Sequence, residues 1–324
     1  MSDRLTVVLP VFDEADHVAA TVGALAAAAE RSPFALDLVV VDDGSTDGSG
    51  EAAAEAAAGR LPCRVLSQPN RGRFRARLAG LEAAEGELVL LLDARVRLHA
   101  DALSFAGERD EDVAEGAIRV PARIRVHVPV PDALAWRDYF RAPRTTSYGL
   151  EDFDRYPKGT TCFLAPRELL LEAFATFTTR YDDLRHANDD TPVLRALAAR
   201  ERIHLSPSFG CTYTPRGSLP SFVRHSLHRG VVFLDGHGRR ESRFFPAVVA
   251  FYPVSAALAV AVLRRPGLVP AGALCVAAAA GAVAAAAGRP RFEAVSFGTL
   301  APVYAVAHGA GMWKGAVLAL RRRS

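Results

Sequence analysis

The clearest candidates for chemistry follow a short apolar run. Residues 39–41 are three valines, which predict a buried parallel strand, and they end at two adjacent carboxylates, Asp42 and Asp43. Gly44 and the Ser, Thr and Asp residues of 45–49 then suit a tight turn and a helix N-cap. Ligands of open α/β sheets bind just past the carboxyl end of a strand. Acidic groups there suit hydroxyl and N–H donors, such as a ribose or a uracil edge, rather than a bare phosphate.

Only one of the two carboxylates can face a ligand directly, because adjacent side chains of an extended backbone point to opposite faces. The other carboxylate could cap the following helix. For either residue, N-capping and turn formation are the alternative.

A second group of candidates has a cation at every second position: Arg71, Arg73, Arg75 and Arg77. If a helix begins near Phe74, Arg71 and Arg75 are placed to meet a diphosphate at its positive end. Arg73 and Arg77 are then expected at the surface or at an interface. A solvated helix face or a contact with anionic lipids is the alternative for the whole group.

Two acidic motifs lie further along the chain. Asp93 follows the apolar residues 90–92 and is separated from Arg95 by one residue. Asp189 and Asp190 precede a predicted apolar helix at 192–199, where they could equally be first-turn acids at an N-cap before a proline. Residues 182–183 are a second acidic pair, both Asp.

Alternating elements position these motifs. We predict strands at 6–10, 36–41, 63–67 and 87–92 and helices at 17–30, 50–58 and 74–84. This alternation indicates βαβ units, and therefore an α/β fold with a mostly parallel sheet and flanking helices. Residues 121–215 are less regular and are expected to complete the domain.

Composition narrows the class of protein. The 324 residues exceed what one small domain needs, and a net charge of +3 is too small to indicate nucleic-acid binding. Four scattered cysteines show no metal-ligand spacing and favour a reducing compartment. The N-terminus runs straight into the first strand, so no signal peptide is expected.

The C-terminal part has a membrane composition. Residues 246–263 and 267–287 carry no charge, are about as long as a spanning helix and are bounded by Arg264, Arg265, Arg289 and Arg291. A third segment, 294–313, contains proline, histidine and glycines. The positive-inside rule favours two spans and a third, membrane-associated helix over three spans. A buried helical hairpin in a soluble protein is the alternative.

Four of these stretches occur together in one order: residues 7–14, 41–47, 70–81 and 90–93. They resemble a family-2 glycosyltransferase of the GT-A fold over about residues 5–235. The tail, with residues 308–315, is similar to members that extend lipid-linked glycans of bacterial surface polysaccharides. The resemblance implies that these residues bind a nucleotide-sugar donor: Pro10, Phe12, Asp13, Glu14, Asp43, Arg71, Gly72, Arg75, Asp93 and Arg95.

The resemblance also implies catalytic roles. Asp190 matches the general base of inverting members, and Asp189 would raise its pKa; residues 182–183 are the fallback. Asp93 lies where the family carries an Asp-x-Asp metal motif, but Arg95 replaces the second acid. Either Asp93 holds Mg²⁺ or Mn²⁺ with waters, which we favour, or Arg95 supplies positive charge without metal, or the site is inactive.

The resemblance implies that Gly159 and Thr160 line the acceptor side of the site. The glycine there would allow the backbone to approach the acceptor closely. By the same resemblance, an amphipathic interface helix would carry Arg224, His225, His228 and Arg229, and these side chains would contact the donor or lipid diphosphate. A basic face resting on lipid headgroups is the alternative.

These observations predict an inverting, nucleotide-sugar-dependent glycosyltransferase that uses a lipid-linked or membrane-associated acceptor. UDP-sugars are the favoured donors. Anionic membrane lipids are expected as partners, and binding to nucleic acid is not expected. The predicted organisation is a catalytic domain at 1–216, an interface helix at 217–243 and a membrane region at 244–324. The location would be the bacterial inner membrane, multi-pass, with the catalytic domain in the cytoplasm. The alternative is a non-catalytic nucleotide-sugar-binding relative or partner subunit. A dehydrogenase is disfavoured, because no Gly-x-Gly-x-x-Gly follows an early strand.

Overall fold

The computed structural model describes residues 4–104, 118–121, 124–126, 146–156, 159–206, 208–214 and 217–321. Its N-terminal part alternates strands and helices within two residues of the predicted positions. The elements are β1 (Arg4–Val11), α1 (Ala15–Ala29), β2 (Ala35–Asp42), α2 (Ser49–Ala57), β3 (Cys63–Ser67), α3 (Arg73–Ala83) and β4 (Leu88–Leu92).

The following part of the chain adds shorter strands and two helices. They are β5 (Val96–Leu98), β6 (Ile118–Pro121), β7 (Ile124–Val126), β8 (Thr146–Tyr148), β9 (Cys162–Pro166), α4 (Arg167–Ala175), α5 (Thr191–Ala198), β10 (Ile203–Ser206) and β11 (Cys211–Tyr213). An eight-stranded sheet has the order β3-β2-β1-β4-β9-β6-β10-β8, and a small sheet has the order β5-β11-β7. Strands β3, β2, β1 and β4 are parallel, whereas β9 is antiparallel to β4. The predicted α/β class with a mostly parallel sheet is confirmed.

Both faces of the large sheet are covered, which explains the nearly continuous apolar composition of its central strands. Leu9 and Leu90 pack with helix α1 on one face. Val8 and Leu91 pack with Phe163 on the other face. Strand order reverses direction between β1 and β4, so the carboxyl ends of these neighbours leave a crevice.

Four helices form the C-terminal part: α6 (Leu219–His237), α7 (Phe245–Arg264), α8 (Leu268–Ala286) and α9 (Arg291–Arg321). By length and composition, α7 and α8 could each cross a membrane. Their side chains are mostly exposed in the protein, with Leu258 at 61% and Leu274 at 70%. Such exposed apolar helices are typical of segments that face lipid.

Helix α9 links the apolar hairpin to α6. It approaches α8 where Gly298 faces Gly281, and it crosses α6 where Gly311 faces Gly230. A Cβ atom on Gly230 would lie 2.0 Å from the carbonyl oxygen of His308. Only glycines therefore allow the two helix backbones to come so close.

Candidate active site

A cleft of about 450 Å³ opens beyond the carboxyl ends of β1, β2 and β4. This volume suits a small-molecule ligand. The cleft combines apolar walls with acidic, basic and histidine side chains. Its lining is Pro10, Val11, Phe12, Glu14, Asp43, Asn70, Gly72, Arg73, Phe74, Ala76, Asp93, Ala94, Arg95, Leu184, Arg185, Ala187, Asp189, Tyr213, His225 and His228.

The end of β1 supplies one wall of the cleft. Pro10 and Phe12 line it, and the Phe12 ring is 45% exposed although it is large and apolar. An exposed aromatic ring beside a cleft offers a flat face to a planar group such as a nucleobase. Asp13 does not line the cleft. Its carboxylate instead accepts from the Thr46 amide at 2.9 Å, with Asp13 in a positive-φ conformation (51°).

Asp42 does not form the expected helix cap, because the N-cap residue of α2 is Gly48. Asp42 accepts from the amide of Ser45 at 2.8 Å and stabilises the turn. Asp43 lines the cleft, but the residue is only 4% exposed. Its carboxylate accepts from the Gln68 side chain at 2.6 Å and from the amides of Arg71 and Gly72 at 2.9 and 2.8 Å. Asp43 therefore shapes the loop at 68–72 as well as one wall of the cleft.

The arginine assignment from the sequence is reversed in the structure. The side chains of Arg71 and Arg75 are exposed and do not line the cleft. Arg73 lines the cleft, and Arg77 is buried at 1% exposure. Arg73 and Arg77 are one turn apart in α3 and share the helix face that points to the site. Arg71 precedes the helix, and Arg75 lies on its opposite side. Gly72 precedes this helix with φ 88°, and a Cβ there would lie 2.8 Å from the backbone of Arg185.

Three carboxylates meet at the guanidinium of Arg77. Its Nη2 donates to Asp93 at 2.7 Å, and its Nη1 donates to Asp189 at 2.6 Å and to Asp190 at 3.1 Å. Arg73 donates to both oxygens of Asp189, with distances of 3.0 Å from Nε to Oδ2 and 2.9 Å from Nη2 to Oδ1. Asp189 is thereby held between two arginines at 3% exposure. Each of the three carboxylates thus has a guanidinium partner, as burial of ionised groups requires.

Asp190 is the more accessible acid of the pair, with 25% of its side chain exposed. It occupies the N-cap position of α5 without making a capping hydrogen bond. Asn188 serves that helix end instead, because its Oδ1 accepts from the Thr191 amide at 3.0 Å. Asp190 is not among the residues that line the cleft, and its carboxylate accepts from the hydroxyl of Thr160 and from Arg77. The capping alternative is thus not what the Asp190 side chain does.

The electrostatic surroundings fix the ionisation of Asp190. Partial burial raises its pKa, but the charges of Arg73 and Arg77 and the hydrogen bond from Thr160 outweigh that effect and lower the pKa to about 2. The expected rise caused by Asp189 does not occur, since the two arginines neutralise Asp189. Asp190 is a carboxylate at any neutral pH.

Arg95 and Glu14 form a second charge pair across the cleft floor. Arg95 Nε lies 2.9 Å from Glu14 Oε1 and 2.7 Å from Oε2. Glu14 leads into α1 and Arg95 follows β4, so the pair joins the ends of neighbouring strands β1 and β4. Both residues line the cleft beside Asp93.

Few protein oxygen atoms are available to bind a divalent ion at Asp93. Mg²⁺ and Mn²⁺ prefer several oxygen ligands, but one Asp93 oxygen already accepts from Arg77 and the next acidic position is Arg95. Within the described residues, no group of three or more His, Cys, Asp or Glu side chains is arranged to hold a metal ion. The donor set around Asp93 does not fit the predicted ion.

Two of the predicted acceptor-side residues, Gly159 and Thr160, lie just before β9. Thr160 is 1% exposed and bonds Asp190, and the carbonyl of Thr161 accepts from the Asp93 amide at 2.9 Å, so this segment does reach the site. Gly159 has open space around it, because a Cβ atom added there would lie 3.9 Å from Thr161 Oγ1. No close packing among the described residues therefore requires a glycine at position 159.

On α6, His228 lines the cleft, whereas Arg224 and Arg229 do not. Burial lowers the pKa of His228 to about 4, helped by the charge of Arg73, so this imidazole is neutral at pH 7. His228 therefore offers a hydrogen bond rather than a positive charge. His225, one turn earlier on the same predicted helix, also lines the cleft.

The sequence patterns did not reveal that Arg73 and Arg77 face the site or that Glu14 pairs with Arg95. A signal for the arginines was present: residues 73 and 77 have i, i+4 spacing, and Ala76 and Gly80 between and after them are small enough to pack on the sheet. No sequence signal places Glu14 against Arg95, because that contact depends on the order of β1 and β4.

Comparison with known proteins supports the sequence resemblance. Residues 6–104 match the family model described as glycosyl transferase family 2. The undecaprenyl-phosphate 4-deoxy-4-formamido-L-arabinose transferase of Aeromonas hydrophila is 38% identical over 92 residues, which are 28% of this chain and 28% of that protein. The uncharacterized glycosyltransferase YibD of Escherichia coli is 30% identical over 118 residues, 35% of this chain and 33% of that protein. The chain thus matches only about a third or less of the length of these relatives.

The fold comparison extends further along the chain. S. aureus TarS, residues 1–349 in complex with UDP, aligns with 99% of this chain and 91% of its own, at a TM-score of 0.54 and 18% identity. The same segment with UDP-GlcNAc gives a TM-score of 0.54 at 17% identity. At such low identity the likeness shows a common fold, and it agrees with the GT-A fold expected from the sequence.

Proposed function

We propose that this chain, whose residues 6–104 belong to glycosyl transferase family 2, transfers a sugar from a nucleotide diphosphate sugar to a lipid-linked acceptor at a membrane surface. The observation that carries the proposal is the cleft at the ends of β1, β2 and β4, where the family segment, including Arg73 of α3, meets Asp189 just before α5. Ligand binding at this edge is what the fold favours.

The donor nucleotide enters beside Pro10 and Phe12. The Phe12 ring supports the base, and Asp43 keeps the loop at 68–72 in place beside it. The diphosphate lies toward Arg73 and Arg95, whose guanidinium groups suit phosphate oxygens. Arg71, Arg75 and Asp13 stay outside this donor site, since their side chains do not line the cleft.

The transfer step is an in-line displacement at the anomeric carbon. The acceptor hydroxyl oxygen forms a bond to that carbon as the bond to the diphosphate breaks, which inverts the configuration. Asp190 accepts the hydroxyl proton as it is released, and Thr160 and Arg77 orient the carboxylate. Asp189 holds Arg73 and Arg77 in position and takes no proton.

The membrane part would hold the acceptor close to this cleft. Helices α7 and α8 are proposed to span the bilayer, with Arg264 and Arg265 on the far side and the catalytic domain in the cytoplasm. Helix α9 packs against α6, whose His225 and His228 line the cleft. That contact supports the proposal that α9 lies at the interface and does not form a third span.

A phosphate acceptor is the second candidate. A pKa of about 2 makes Asp190 a weak base, because general bases act best with a pKa near the working pH. A lipid phosphate is already ionised and needs no base, and the Aeromonas hydrophila relative is named for such an acceptor. That relative matches only 28% of this chain, however, so a hydroxyl acceptor is retained as the main proposal.

The test is nucleotide release by detergent-purified full-length protein from a panel of UDP-, GDP- and dTDP-sugars, with membrane lipid extract as acceptor. We expect one donor to be consumed and its sugar to appear in the lipid phase. Replacing the extract with pure polyprenyl phosphate separates the two acceptors. Binding of a nucleotide sugar with no release under any condition would instead identify a non-catalytic relative.

A further inference from the structure

We infer that this chain binds the donor diphosphate with fixed arginine charges in place of a divalent cation, and that Arg95 takes the position of the ion. The inference rests on the proposed function. It starts from the disagreement between the Asp93 site and the ion that the sequence resemblance implies.

Arg95 makes the pair of residues at positions 93 and 95 less acidic than two carboxylates would be. Two acids at positions 93 and 95 would need a divalent cation to become neutral. In this chain, Asp93 and Arg95 carry one negative and one positive charge and sum to zero by themselves. An arginine in place of an acid changes the local charge by the same amount as the ion would. An added dication would therefore be repelled by two nearby guanidinium groups, that of Arg95, which already pairs with Glu14, and that of Arg77, which already pairs with Asp93.

Arg77 further reduces the capacity of Asp93 to bind metal. Its buried guanidinium donates to Asp93 at 2.7 Å and also to Asp189 and Asp190. A cation thus already occupies the point where these three carboxylates converge. An ion could collect two or more of the carboxylates only by displacing Arg77, which is 1% exposed and could not reach water without repacking α3.

Arg95 is held in a geometry that suits phosphate. Its Nε is the atom that contacts the Glu14 carboxylate, at 2.7 Å from Oε2. The Nη groups make no hydrogen bond to the described residues, and the side chain lines the cleft at 14% exposure. A guanidinium fixed at Nε presents its two Nη groups as a planar fork, the arrangement that binds two oxygens of one phosphate group.

The experiment measures UDP and GDP binding to the full-length protein in detergent by calorimetry, first with EDTA and then with Mn²⁺ or Mg²⁺. We expect the nucleotide that binds to show the same affinity within about twofold in both conditions. Sugar transfer from the matching donor should likewise continue in EDTA. Affinity that falls about tenfold or more in EDTA would overturn the inference.

Two variants sharpen the result. Arg95→Asp restores a second acid and should bind the nucleotide at least about tenfold more weakly in EDTA, with recovery in Mn²⁺. Arg95→Gln should lose a similar factor that Mn²⁺ does not restore. Arg31→Gln, which changes an exposed arginine just after α1 and outside the cleft, is the control and should bind as wild type does. Thermal denaturation of each variant checks that it is folded.

The outcomes separate the two proposals. Metal-dependent binding and turnover by the wild-type protein would refute the arginine assignment and leave the transferase intact. If Mn²⁺ does not restore the nucleotide affinity of folded Arg95→Asp, the result would also contradict the proposal that Arg95 takes the position of an ion. If no nucleotide binds with or without metal, the transferase proposal fails and this inference fails with it.

Discussion

At the scale of single residues, the site is a set of carboxylates held by the guanidinium groups of two arginines. Asp189 lies between Arg73 and Arg77, and Asp190 shares Arg77 with Asp93. Such a network fixes side-chain positions, because moving any one member would leave a buried charge without its partner. Removing one acid is therefore expected to affect both stability and geometry.

The lowered pKa of Asp190 predicts a pH-dependent contribution to stability. A carboxyl group whose pKa falls from 3.8 to about 2 on folding stabilises the folded state above about pH 4. This contribution is lost as the pH falls through the folded pKa. For Asp190 it amounts to about 2 kcal/mol. We expect the melting temperature of wild type to exceed that of Asp190→Asn at pH 6, and the difference to shrink between pH 4 and pH 2.

Wild type and Asp190→Asn share every other acid, so the difference between their melting temperatures isolates the contribution of Asp190. The measurement is thermal denaturation in detergent across this pH range. A difference in melting temperature that stays constant down to pH 2 would show that Asp190 is not stabilised as a carboxylate by Arg77 and Thr160.

The sequence predicted which residue types form the site better than it predicted their orientation. Asp43, Asp93, Asp189 and Asp190 follow strands or precede a helix, and those positions can be read from the apolar pattern. Which arginines face the site depends on which side of α3 packs against the sheet, and successive residues of a helix point about 100° apart. An alternating run of arginines does not encode that side.

At the scale of elements, α6 connects the membrane part to the catalytic acids. Asp235 of α6 is fully buried and accepts from the amides of Arg180 and Asn188 at 2.7 and 2.8 Å, and from the Thr179 hydroxyl at 2.8 Å. Asn188 immediately precedes Asp189. Helix α6 thus fixes the backbone that carries the acid pair.

We expect Asp235→Asn to weaken both stability and transfer. The amide group of asparagine would place N–H donors against backbone N–H donors, at a cost of about 1–3 kcal/mol. The loop carrying Asp189 and Asp190 would shift, so kcat should fall more than donor affinity. Denaturation and steady-state kinetics measure the two effects.

Glu241→Gln is the matched control for that change, because Glu241 is an exposed acid shortly after the end of α6. It should behave as wild type does. If Asp235→Asn kept both wild-type stability and wild-type kcat, α6 would not be positioning the catalytic loop.

Elements were more predictable than contacts between them. The strands and helices from β1 to β4 lie within two residues of their predicted bounds, since each has its own apolar period and turn residues. The antiparallel insertion of β9 beside β4 was not predictable, because its pairing partner lies about 70 residues away in the chain and only tertiary packing selects it.

At the scale of the whole molecule, two exposed apolar helices are joined to a charged cleft through α9 and α6. The apolar surface of α7 and α8 is not covered by the described parts of the chain. A soluble protein rarely exposes so large an apolar surface. The bilayer is the environment that would cover it.

We therefore expect the full-length protein to remain in membranes after alkaline carbonate and high-salt washing and to be released only by detergent. A protein bound through its basic residues alone would be released by salt, because surface charge attraction is screened within about 10 Å at 0.1 M salt. Immunoblots of the washed membrane and supernatant fractions make the distinction. Release by carbonate would contradict the two proposed spans.

The most direct test of the whole account is the rate of sugar transfer to lipid by Asp190→Asn compared with wild type, at saturating donor, together with donor affinity. We predict that the affinity changes by less than about threefold, whereas kcat falls by a factor of about 10²–10⁴ because the acceptor proton loses its base. Transfer by Asp190→Asn at the wild-type rate would contradict the assignment of Asp190 as the catalytic base.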